Sequence, residues 1–121
     1  MISDNIEKIK SEIPDHVTLV AVTKYHSTED TKAVLDAGVY DLGESKVQDF
    51  LRKYEEIGNG PRWHFIGHLQ KNKVKYLIGK TFLIHSVDSI ELLNVIEKES
   101  EKQDTVTSVL LQLNLAREDT K

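Results

Sequence analysis

Residues Val17–Lys24 read VTLVAVTK. The run Val17–Val22 is short, apolar and rich in β-branched side chains, which reads as a buried strand. Thr23 and Lys24 follow it directly. Desolvating an ammonium is costly, so a lysine where a buried strand ends is unusual. Such a site favours the neutral amine, the form that attacks a carbonyl. A lysine that carries aldehyde or ketone chemistry is therefore one reading of Lys24. The plainer reading of this stretch alone is a strand that stops, with Lys24 reaching into solvent.

Outward from this run, β-rich stretches alternate with helical ones. Ile2–Ile13 is read as an opening helix with Ile2, Ile6, Ile9 and Ile13 on one face, ended by Pro14-Asp15. Ser27–Ala37 is a helix capped by Ser27, with Asp30 three residues on and Gly38 after it. Val39–Leu42 is a second strand ending at Gly43-Glu44. Ser45–Ile57 is a helix whose stripe is Val47, Phe50, Leu51, Tyr54 and Ile57. Trp63–Ile66, Thr81–His85 and Val106–Leu113 are the third to fifth strands. Between them, Asn72–Ile78 is a short helix ending at Gly79. A second helix, capped by Asp88 with Glu91 as its partner, runs to about Lys102.

Strands alternating with helices predict a parallel sheet in an α/β fold. Short, even units suit a (β/α) barrel of the TIM type. The competitor is a doubly wound sheet, which usually carries a glycine-rich fingerprint after its first strand. Here that position reads TKYHSTED, without glycine. A closed barrel takes eight units and about 250 residues. The 121 residues here supply about five units.

Hydrophobic residues make up 39% and charged residues 30% of the chain, the balance of a globular domain. The net charge is −4 and no basic stripe is present, which argues against nucleic acid as a main partner. The chain has no cysteine, so disulfides and thiolate metal sites are excluded. No apolar run is long enough to span a bilayer, and MISDNIEKIKSEI has no signal core. A cytoplasmic location is the expectation.

Active sites of (β/α) barrels sit at the C-terminal ends of the strands. Those ends read Thr23-Lys24, Gly43-Glu44-Ser45, Gly67-His68, His85-Ser86 and Asn114. One amine thus meets a carboxylate, hydroxyls, two histidines and an amide, without an acidic cluster for a metal. His64 and His68 would share a face only on a helix, and the HExxH pattern is absent, so no metal site is expected. His85 is equally a core histidine or a site residue. Lys71, Lys73 and Lys75 read as a solvated helix face.

The stretch WHFIGHLQKNKVKYL, Trp63–Leu77, closely resembles the signature of the pyridoxal phosphate homeostasis protein family. LVAVTK (Leu19–Lys24), the segment ending at Glu44, HSVDS (His85–Ser89) and LLQLN (Leu110–Asn114) follow in the family's order. The resemblance implies a barrel like the N-terminal domain of alanine racemase, the fold-type III arrangement for pyridoxal 5′-phosphate (PLP). It implies an aldimine to Lys24. It implies a role in vitamin B6 homeostasis without an established reaction, hence no enzyme. The alternative is a racemase- or decarboxylase-like PLP enzyme, against which the lack of a second domain with a catalytic tyrosine counts. Cofactor-binding residues implied by the matched positions are Lys24, Ser45, Ile66, Gly67, His85 and Ser86, with no metal and no catalytic residue. Relatives often have asparagine where Ser45 stands. The family's phosphate-binding segments and its pyridine-facing arginine fall beyond Lys121. Residues 1–121 are therefore expected to be the N-terminal portion of one PLP-binding (β/α)8 domain. Full-length relatives are expected to be monomers, and the isolated portion, with open sheet edges, is expected to self-associate.

Overall fold

Alternating apolar runs and capped helices give the chain a repeating strand–helix order. The computed structural model describes residues 2–112. In order they form α1 (Ile2–Glu12), β1 (Val20–Val22), α2 (Thr28–Asp36), β2 (Asp41–Glu44), α3 (Val47–Ile57) and β3 (Arg62–Phe65). A 3-10 helix (Lys71–Tyr76), β4 (Leu83–Val87), α4 (Ile90–Lys102) and β5 (Val109–Leu111) follow. All strand pairs are parallel, and their order in the sheet is their order in the chain. A doubly wound sheet reverses its order at a switch point; this one does not, which is the progression of a (β/α) barrel. Among the described residues the sheet is open, with β1 and β5 at its edges.

The two faces of the sheet differ. Leu42, Trp63, Phe65 and Ile84 point to the helices and pack with Phe50, Leu77 and Ile96 into one buried core. Alternation along each strand sends Val20 and Val22, Asp41 and Gly43, and Arg62 and His64 to the opposite face. In a closed barrel that face is the interior. Here Val22 is 51% exposed.

The elements agree with the sequence reading in kind and order, and differ at their limits. The first strand is only Val20–Val22, because Val17 donates to Pro14 O in a turn before the ladder begins. The second is Asp41–Glu44 rather than Val39–Leu42. Val39 is spent on α2, its N–H bonding Val34 O, while Gly43 pairs with Val22 and His64. The third strand starts one residue early, and the fourth runs to Val87, so His85 and Ser86 lie within it. In the fifth, Val106 is exposed and Val109–Leu111 pairs; Leu113 and Asn114 lie outside the described residues.

Capping follows the same pattern. Ser27 accepts from Asp30 N at 3.0 Å, as expected for α2. The cap of α4 is Ser89, which accepts from Leu92 N at 3.1 Å, not Asp88 with Glu91. Both residues offer a side-chain oxygen three positions before a free N–H; the extended backbone of Ser89 decides between them. The segment after β3 is a six-residue 3-10 helix, Lys71–Tyr76, the tighter winding frequent in connectors, rather than the short helix read over Asn72–Ile78. In α1, Ile6 packs on the core but Ile9 stays half exposed, so the isoleucine stripe is only partly used.

Candidate functional site

The site is built from the C-terminal end of β1. Thr23 N donates to Gly43 O at 2.9 Å, so the ladder between β1 and β2 extends one residue past Val22. Alternation then carries Lys24 to the open face, the side of Val20 and Val22. Lys24 is partly buried there, its Nζ 5.6 Å from the centre of the Tyr25 ring. Lys46 Nζ approaches the same ring at 5.2 Å. Tyr25 has φ 67°, in the left-handed region, so the chain reverses sharply right after the lysine.

Next to this lysine the open face has a flat floor. A Cβ on Gly43 would meet Ile66 Cδ1 at 3.2 Å and Val20 Cγ1 at 3.6 Å, so the glycine lets Ile66 and Val20 lie close over the sheet. Gly67 is required for a different reason. Its φ is ordinary, but a Cβ there would lie 2.7 Å from both Cα and C of Ser45. Ser45 and Gly67 thus join the ends of β2 and β3 backbone to backbone. Ser86 Oγ donates to Gly67 O, which ties β4 to the same junction. That commits the hydroxyl proton of Ser86 and leaves its lone pairs.

Deeper on the open face lies a polar chain that spacing alone did not reveal. His64 Nε2 is 2.9 Å from Asp41 Oδ2, and His64 Nδ1 is 2.9 Å from His85 Nε2. Arg62 Nε lies 3.0 Å from Asp41 Oδ2. With Asp41 accepting from His64 Nε2–H, His64 Nδ1 accepts from His85 Nε2–H, and His85 Nδ1 keeps a lone pair. Burial pushes the Asp41 carboxyl up, but hydrogen bonds from Arg62 and His64, with their charges, outweigh it and hold the group below its usual range. Burial, then the neighbouring His64, pushes the His85 imidazole down. The signal was present in Asp41 and in Arg62-x-His64, where a period of two in β3 and the pairing of Arg62 with Asp41 place three polar side chains on one face of adjacent strands.

Acid should weaken this network. The folded state favours neutral His85, so its contribution is complete above the ordinary histidine value of 6.5 and is lost as the pH falls through the lower folded value. Asp41 adds a second loss below its ordinary 3.8 as its folded carboxylate is protonated. Urea melts at a series of pH values should therefore show stability falling once the pH drops below 6.5. His85→Gln should flatten the upper part of that fall; an unchanged slope would mean that His85 does not titrate with folding.

The rim is less crowded than the strand ends suggested. Lys24, Ser45, Ile66, Gly67, His85 and Ser86 do occupy adjoining strands or their ends. Glu44 does not face them: it is buried on the helix side, 2.7 Å from Lys53 Nζ. His68 is exposed in the loop after β3. Lys53 was hidden by its type. It lies three residues after Phe50 on the apolar stripe of α3, where a buried residue belongs.

No protein-family model matches the chain. Comparison with single proteins is more informative. A pyridoxal phosphate homeostasis protein of Aquifex aeolicus is 42% identical over 104 residues, which span 85% of this chain and 46% of that protein. The chain belongs with the pyridoxal phosphate homeostasis proteins. It spans about half the length of the curated relatives it matches and corresponds to their N-terminal part. Among solved structures, PipY of Synechococcus elongatus with PLP bound superposes with a TM-score of 0.89 at 29% identity, covering 95% of this chain and 55% of that one. Alanine racemase of Enterococcus faecalis superposes with a TM-score of 0.69 at 19% identity, covering 81% of this chain and 27% of the racemase, a likeness of fold alone. The barrel architecture read from the alternating pattern is thus shared with both. The relatives are named for homeostasis rather than for a reaction. Among the described residues no helix is long and apolar enough to cross a membrane.

Proposed function

We propose that this chain is a PLP-binding part of a vitamin B6 homeostasis protein and that Lys24 is its cofactor lysine. The observation that carries the reading is the lysine at the end of β1, on the open face of a fold shared with PipY, a protein solved with PLP bound. The residues present suit the group: an amine, an apolar floor at Gly43, Val20 and Ile66, and an imidazole with a free lone pair. When bound, the cofactor supplies an aldehyde that an amine can hold and a ring that can act as an electron sink.

The chain's own residues divide the work. Lys24 provides the amine, and Ile66 with Gly43 provides a surface for a flat ring. Ser45, Gly67 and Ser86 fix the geometry where three strands meet, and His85 offers an acceptor toward the interior. Residues 1–121 are read as the N-terminal portion of a single (β/α)8 domain, acting in the cytoplasm as a carrier rather than an enzyme. The racemase-like alternative gains nothing from the racemase superposition, which is one of shape.

Titration of the protein with PLP, followed by visible absorbance and by mass after borohydride reduction, tests this. A saturable band and one reduced pyridoxyl group per chain are expected. Absorbance that rises without saturation, with many lysines labelled, would contradict the reading.

A further inference from the structure

Lys53 and Glu44 are both 0% exposed, on the face of the sheet opposite Lys24. Lys53 Nζ lies 2.7 Å from Glu44 Oε2 and 2.7 Å from Thr23 O. Glu44 Oε2 also accepts from Thr23 Oγ1, while Glu44 Oε1 is buried without a partner among the described residues. As a contribution to stability this arrangement is a poor choice. A buried ion pair rarely outperforms apolar side chains of the same volume, and an orphaned carboxylate oxygen adds a further cost.

What the pair does hold is Thr23, the residue before Lys24. Thr23 is fastened at every polar atom. Its N–H bonds Gly43 O, its Oγ1 bonds Glu44, and its carbonyl accepts from Lys53 Nζ and, at 3.2 Å, from His26 N. One residue beyond Lys24, Tyr25 sits at φ 67°, a conformation that persists only where the surroundings over-determine it. Ser27 then caps α2. Lys24 is therefore suspended between a clamped residue and a forced reversal.

We propose that the buried Lys53–Glu44 pair is a positioning device for Lys24: by gripping Thr23 from the helix side, it sets the backbone from which the amine projects onto the open face. This rests on the reading of Lys24 as the cofactor lysine. Lys53 and Glu44 touch no ligand in it; they act through Thr23.

The double variant Lys53→Met/Glu44→Gln removes both charges together, so neither is left buried alone. It should fold with a melting temperature near or above that of the unaltered protein. Borohydride-fixed labelling of Lys24 at a sub-saturating PLP concentration should nevertheless fall at least about tenfold, within the roughly hundredfold that a misplacement of an ångström can cost a reacting group. Amide exchange at Lys24, Tyr25 and His26, measured without cofactor, should quicken. Thr23→Val keeps the ion pair and the volume but removes the hydroxyl. It should lower labelling about fivefold, the equivalent of one net hydrogen bond, and it carries the test if the double variant does not fold. Unaltered labelling and exchange in a folded variant would overturn the positioning role while leaving Lys24 as the cofactor lysine. A label found away from Lys24 in the unaltered protein would overturn the functional reading itself.

Discussion

Lys24→Ala should abolish the saturable PLP absorbance and remove the borohydride-fixed pyridoxyl group from the chain. The side chain leaves from the end of β1 on the open face, clear of the core on the helix side, so its loss should leave the melting curve nearly unchanged. Lys24→Arg should behave in the same way. A guanidinium stays protonated and cannot act as the amine, although it keeps the charge and most of the length. The nearest rival amine is that of Lys46, which shares the Tyr25 ring with Lys24. If Lys24→Ala kept a full, saturable label, now on Lys46, the rim would be a general amine cluster and the strand-end argument would fail.

Gly67→Ala should cost about 3 kcal/mol of stability, the upper range for forcing an extra carbon into a packed site. Most glycine substitutions of this kind strain φ; this one does not. The obstacle is the Ser45 backbone, whose Cα and C would lie 2.7 Å from the new Cβ. Backbone cannot swing aside as a side chain does, so the β2 and β3 ends must separate. Because the first carbon already collides, Gly67→Val should add less to the loss than alanine itself causes. Separation would also break the bond from Ser86 Oγ to Gly67 O and disturb the site from a second strand. Chemical melts of both variants decide this, and two neutral substitutions would show that the junction tolerates movement.

The progression of elements was legible because each rests on a local rule. Apolar β-branched runs marked strands, and the serine at position 27 marked a helix start. Strand limits were less legible, since Gly43 and Glu44 look like a turn, yet Gly43 pairs with Val22 and His64, and Glu44 with Phe65. Their place in the ladder comes from neighbours far along the chain, which local propensity does not register. The same distinction divides the site. Lys24 was readable as a charged residue out of keeping with the strand before it. The Asp41–His64–His85 chain and the Lys53–Glu44 pair were not, because each joins residues on different elements whose polarity, read singly, suggests solvent. The lesson lies in Lys53: a charged residue on an apolar helical stripe needs a buried partner, and Glu44 at the end of β2 was the candidate in view.

Which amine takes up the cofactor is the decisive question for this fold. Equilibrating the unaltered protein with PLP, reducing with borohydride and mapping the labelled peptides measures this directly. One dominant site, Lys24, on the peptide carrying Val20–Lys24, is expected. A label spread over Lys46, Lys71 and Lys73, with Lys24 no more modified than these, would contradict it.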